Sequence, residues 1–221
     1  MATFQSRIED YVGTQSDTTA LTQWLTDSAR KLVDILPDDK ALTYTSLTAV
    51  GSGLSISPYK AFKVFGGSYG ARRVDPSLEA QVALSGSLYE ATSRDPVYII
   101  KTGTLKVYPS TTTGYASTIT YPTVAYGDST LTVLPEQLID AMIFDVASRC
   151  RVQQANEVIN TALSAGIVII TTDLDTDEDV ELATAQNVKL NAFQLQYNSY
   201  MGDAKSLQNK YEEIVKLYLQ S

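Results

Sequence analysis

The feature that most restricts this chain is a change of period. Apolar side chains recur about every 3.6 residues up to residue 36 and again from residue 135, but in between they alternate with polar ones about every second residue. The stretch "TLKVYPSTTTGYASTITY", residues 104 to 121, alternates, breaks at a proline, crosses a polar loop and alternates again. A helix buries a stripe and a strand buries a face, so both kinds of element must share this polypeptide. The expected class is α+β: a helical bundle of N- and C-terminal helices, 1–40 and 135–221, with an inserted small antiparallel β-rich region at 41–134 that carries one short helix.

The elements follow from spacing and punctuation. Phe4, Ile8 and Tyr11 predict a helix over about 3 to 12, ended by Gly13. Asp17 is a natural N-cap for a second helix, whose stripe is Leu21, Trp24, Leu25, Ser28, Leu32, Ile35 and Leu36 and which Pro37 stops. "DDK" at 38 to 40 is expected as a solvated turn, and "ALTYTSLTAV" from 41 as a strand followed by a Gly-rich turn. "AFKVFGGSYGARRVD" reads as two short strands joined around Gly66 and Gly67, and Pro76 opens a helix over about 76 to 85. "VYIIKTGTLKVYP" is a hairpin with Thr102-Gly103 at its turn, and "STITYPTVAY" is the expected third arm of the same sheet.

Pro135 and Glu136 start a long helix to about Ala165, with Ile139, Ile143, Val146, Cys150, Ala155, Ile159 and Ala162 on one side and Gly166 as its close. After "IVIITT" and an acidic segment, a last helix is expected from about 178 to 219. Val188, Leu195, Leu207, Ile214 and Leu217 are among its apolar positions, and Gly202 should loosen it midway.

Composition excludes several classes of chemistry. There is no histidine, which removes Ser-His-Asp and Cys-His nucleophile pairs and every His-ligated metal site. The single cysteine, Cys150, lies on an apolar helical stripe and is expected as a small buried hydrophobe. Neither "VGSGLS" nor "FGGSYG" carries the Lys-Ser/Thr of a phosphate-binding loop, so no nucleotide cofactor is expected. No apolar run approaches the roughly 20 residues that span a bilayer, and "MATFQSRIEDYVG" lacks the pattern of a signal peptide, so folding in a cytoplasm is expected and no membrane partner. A net charge of −8 opposes tight non-specific binding to nucleic acid, while an acidic surface would let DNA slide past.

Three features retain a functional alternative. "DLDTDEDVE" places Asp173, Asp175 and Asp177 at the first, third and fifth positions of a calcium loop, but Glu178 stands where glycine is required and Thr184 where the bidentate glutamate belongs. Its two Asp-x-Asp triplets also resemble the signature of a metal-dependent carbohydrate-active enzyme, but that signature needs a nucleotide-binding α/β domain and the alternating strands and helices are missing; the acids are expected to complement the positive end of the last helix, with no metal bound. Lys60, Lys63, Arg72 and Arg73 are expected on two arms of one β-segment, as a solvated face or a salt-bridged contact. Tyrosine is in excess, 14 against 5 Phe and 1 Trp, which suits wet interfaces and strands alike.

The order of the segments resembles the head-to-tail adaptor (neck or connector) proteins of tailed bacteriophages. The motifs, in sequence, are "MATF", "SARKLVDILPDDKAL", "ARRVDPSLEAQ", "DPVYII", "TLKVYPS", "LPEQLIDAMIFDVASRC" and a final long helix. Together they cover nearly the whole chain; each is short, none is catalytic, and the specificity lies in their order. The chain departs from the pattern in its longer C-terminal portion and in the acidic insert at 173 to 181.

The resemblance implies a non-enzymatic virion protein of the neck, made in the host cytoplasm. It forms a homo-oligomeric ring of twelve copies, binds the portal protein on one side and a tail or nozzle protein on the other, and passes DNA through its lumen without sequence-specific binding. A stopper or tail terminator is the neighbouring alternative. For partner contacts the resemblance points to Tyr211, Ile214, Val215, Tyr218 and Leu219 on the last helix, and to Tyr108 and Tyr115 in the β-region.

Overall fold

A computed structural model describes residues 2–164 and 177–220, of which 177–184 are described by their backbone alone. In chain order the elements are helices α1 (Phe4–Val12) and α2 (Thr18–Ile35), the single turn α3 (Asp38–Ala41), and strands β1 (Ser46–Ala49), β2 (Leu54–Ser55), β3 (Tyr59–Gly66), β4 (Tyr69–Gly70) and β5 (Arg72–Arg73). Then come the single turn α4 (Glu79–Val82), strands β6 (Val97–Lys101), β7 (Thr104–Tyr108) and β8 (Gly114–Thr120), and the long helices α5 (Glu136–Ser164) and α6 (Asp177–Gln220). The protein is thus mixed α and β, with helices at both ends and two small sheets between them.

Internal packing divides the chain into two units. One comprises Met1–Ser28, Ala125–Thr130 and Glu136–Ser221; the other comprises Ala29–Val124 and Leu131–Pro135. The second part of α2, from Ala29, packs with the sheet-bearing unit. Two side chains tie it there: Lys60 Nζ donates to the carbonyls of Val33, Asp34 and Leu36 at 3.0, 2.7 and 2.9 Å, and Tyr121 Oη donates to Asp34 at 2.5 Å. The last carbonyls of α2 are thus met by a side chain of β3.

In the helical unit the caps stand where the residue types place them. Thr3 Oγ1 accepts from the Ser6 amide at 3.2 Å, Gly13 ends α1 at φ 75°, and Asp17 accepts from the Ala20 amide at 2.9 Å. Phe4, Ile8, Val12, Leu21 and Leu25 are buried, and α1 packs along α5. In α2, Trp24 is half-buried and Ile35 is exposed, so the buried stripe is narrower than its apolar pattern. Helix α5 buries a broad face over its first half, including Ile139, Ile143, Val146 and Cys150; Ile159, further along, is exposed. Burial pushes the Cys150 thiol up to about 12, which makes it the inert small hydrophobe expected.

Helix α6 runs unbroken through Gly202, contrary to the expected loosening. That glycine faces solvent, and the buried Ala204 and Leu207 that follow it in α6, packed towards α5, offset a propensity cost of about 1 kcal/mol.

The sheet unit corrects four expectations. Its sheets run β1-β8-β3-β4 and β2-β7-β6-β5, so β8 is not the third arm of the sheet that holds the β6–β7 hairpin. Strand β8 lies between β1 and β3, with Tyr115 opposite Ala49 and Phe65. The reason is burial: Ala116 to Ile119 are all buried, and an interior strand flanked on both sides satisfies that pattern where an end strand cannot. Second, β5 leaves β4 and pairs with β6 in parallel, so the region is not wholly antiparallel. Third, β1 begins only at Ser46, after α3 and a 3-10 turn over Leu42–Tyr44 that take up the expected "DDK" turn and the start of the strand. Fourth, the short helix after Pro76 is a 3-10 turn and α4, ending at Val82. The β6–β7 hairpin stands as expected, with Thr102 and Gly103 at φ 48° and 74°.

The two sheets share a core. Val64 and Ala116 of one meet Leu105 and Val107 of the other, with Val50. On the opposite face of β6, Val97 and Ile99 pack with Val74 and Val82. The run "VYII" is therefore apolar because it is covered on both sides. Two glycines set the separation of the sheets: a Cβ on Gly66 would lie 2.5 Å from Pro96 Cβ, and one on Gly114 would lie 2.8 Å from Val107 Cβ.

Candidate functional site: a helical contact surface

Helix α6 has one extensive packing partner among the described residues, α5. An antiparallel pair of helices buries only the seam between them, so the remaining apolar residues of α6 stay in water unless something else covers them. At its C-terminal end, Gln137 and Asp140 of α5 and Ile214, Leu217 and Tyr218 of α6 line a depression of about 430 Å³. An ion pair from Arg7 to Asp140 borders it. Asp145 accepts from Arg149 at 2.7 Å, one helical turn away on α5. Burial raises the Tyr211 hydroxyl above its ordinary value; Asp145 adds to that and Arg149 opposes it. Lys210 Nζ stands 5.4 Å from the centroid of the Phe144 ring, itself against Tyr11.

The residues expected for partner contacts divide accordingly. Tyr211, Ile214, Val215 and Tyr218 are half-buried, with part of their surface spent on the protein's own helices. Leu219 is exposed, and so is Leu217, which was not among the residues expected for contact, at 59 %. Leu217 was legible as an apolar position on the helix, but its outward direction was not.

The other two tyrosines belong to the sheet unit. Tyr108 is half-buried and its hydroxyl donates to Glu79 Oε1 at 2.8 Å. Glu79 also accepts from Lys101 at 2.8 Å and from Lys106 at 3.4 Å. The Lys101 and Tyr108 hydrogen bonds, then Lys106, hold the Glu79 carboxyl down at about 2; burial together with Glu79 pushes the Tyr108 hydroxyl up to about 12. Tyr108 thus joins α4 to the β6–β7 hairpin, a role its sequence position did not reveal. Tyr115 is exposed on β8.

The four bases do not form a common face. Lys60 and Lys63 lie on β3, where Lys60 serves the end of α2, while Arg72 and Arg73 lie in the other sheet, with Arg72 Nε donating to Asp95 at 3.0 Å. The side chains of the acidic segment at 173 to 181, and "IVIITT" with Gly166, fall outside the described residues. Among the described residues, no group of three or more His, Cys, Asp or Glu is placed to hold a metal ion, and no helix is long and apolar enough to cross a membrane.

Compared with known proteins, the chain matches no family model and no curated protein.

Proposed function

We propose that the protein is a structural connector of a tailed-phage neck: a non-enzymatic virion adaptor whose copies form a ring between the portal of the capsid and the tail. In this reading the helical unit is a bundle of N- and C-terminal helices, the β-rich unit is its insertion, and DNA passes through the lumen.

One observation carries the proposal. Helix α6 extends over Asp177–Gln220 with α5 as its extensive partner, and leaves Val188, Leu195, Leu217 and Leu219 exposed. A helix that displays large apolar residues along its length is shaped for contact with further subunits. Ring closure asks for unlike faces on one subunit, and a helix pair joined to a two-sheet unit supplies them. The order of the sequence motifs supplies the kind of assembly.

Removing residues 205 to 221 tests the reading. Docking to purified portal particles should be abolished while the sheet unit keeps its circular-dichroism signal. Undiminished docking, or the protein's absence from mature virions labelled for electron microscopy, would refute it.

A further inference from the structure

The far part of the α5–α6 pair differs from the rest of the chain in charge. Residues 152 to 164 and 190 to 202 contain a single charged residue, Glu157, in a chain that is 19 % charged; at that frequency about five would stand there. The same stretches are exposed: Leu163 is 74 % accessible, Leu195 72 %, and Ile159 and Leu190 are exposed as well. Solvated helix faces ordinarily carry charge, and depletion of charge marks the centre of a contact surface.

That surface has two unlike sides. On one, Val158, Ile159, Leu163, Leu190, Phe193 and Tyr197 line an apolar groove of about 510 Å³ between the helices. On the other stand Val188 and Leu195, exposed and seven residues apart, hence about 10 Å apart along nearly one line of α6. Leu190 and Tyr197 follow these two by two residues each, about 200° around the helix, so ridge and groove lie on opposite sides. Both occupy the same span of α6, 188 to 195 against 190 to 197. A neighbour standing alongside with almost no axial shift would bring its ridge level with the groove.

We infer that Val188 and Leu195 of one copy seat in the α5–α6 groove of the next. The occupant is a second copy because ridge and groove are both apolar, stand at one height, and face opposite ways. A two-fold pairing of groove on groove would leave the ridge in water, whereas ridge in groove repeats from copy to copy. Charge agrees: copies of a chain with net charge −8 repel one another, and the uncharged zone is where identical subunits approach at least cost. The inference deepens the ring reading and rests on it only for the closing of successive contacts.

The test is disulfide trapping in the full chain carrying Val188→Cys and Leu163→Cys, with each single variant as control. Cys150 is buried and does not compete. After oxidation, the double variant should give a ladder of cross-linked multimers at least tenfold stronger than either single variant. Adding Leu195→Asp, with an unchanged circular-dichroism spectrum, should remove the ladder.

Dimers formed equally by the Leu163→Cys variant alone would mean groove on groove and overturn the contact. Monomer throughout, where the wild-type protein shows rings by negative stain, overturns the contact and leaves the ring standing. A ladder with no closed ring in the wild type keeps the contact and ends the ring reading. Monomer with no rings refutes both.

Discussion

The β6–β7 hairpin and the far part of the α5–α6 pair are both apolar, yet they stand in opposite relation to water. The hairpin lies between two layers: Leu105 and Val107 face the other sheet, and Val97 and Ile99 face Val74 and Val82. The helix pair has one layer, so Leu163, Val188 and Leu195 remain exposed. The same residue types complete a core in one place and stay in water in the other. An apolar residue contributes to the isolated subunit only where its own chain removes it from water.

The sharpest way to break that contrast is to truncate one leucine in each region. Leu105→Ala should lower unfolding stability by about 3 kcal/mol through lost burial and the cavity left behind, whereas Leu195→Ala should change it by no more than about 0.5 kcal/mol. Urea midpoints of the two variants would measure this, and equal losses would abolish the distinction.

A somewhat smaller effect would sharpen the account of the sheets. Gly114 faces Val107 so closely that Gly114→Val must push the sheets apart, at a cost of about 2 kcal/mol. The same change at Gly127, whose Cβ would meet nothing within 4 Å, should cost much less. Thermal unfolding of the two variants decides between a spacing role and a general intolerance of side chains.

The smallest effect belongs to Glu79. Its carboxyl is held at about 2 in the folded protein against 4.5 for the free side chain. The sign follows from linkage: a depressed folded value contributes stability fully above pH 4.5, and that contribution disappears as pH falls towards 2. Because both lysines that hold it are more than a third open to solvent, screening keeps the contribution small. Stability measured from pH 6 to 2 should fall less steeply in Glu79→Gln than in the wild type. Identical slopes would mean that Glu79 contributes nothing to holding α4 on the hairpin.

Some of the candidate surface was legible in advance. The last helix and its apolar positions follow from spacing, and Tyr211, Ile214, Val215, Tyr218 and Leu219 were identifiable as a group. Spacing alone does not say which side of a helix its neighbour occupies, so the half-buried four could not be told from the exposed Leu217 and Leu219. Tyr108 shows the same limit: its hydroxyl meets Glu79 across 29 positions of sequence, and no local pattern announces that hydrogen bond.

What the sequence by itself determined is what neighbouring residues decide among themselves. The cap at Asp17, the stop at Gly13, the turn at Thr102-Gly103 and the start of α5 after Pro135 depend on one residue's dihedrals or one short hydrogen bond. Tertiary structure alone decided which strand lies beside which. A period of two makes a strand but names no partner; β8 lies between β1 and β3 with Ala116 to Ile119 all buried, and Gly66 and Gly114 let the second sheet come close.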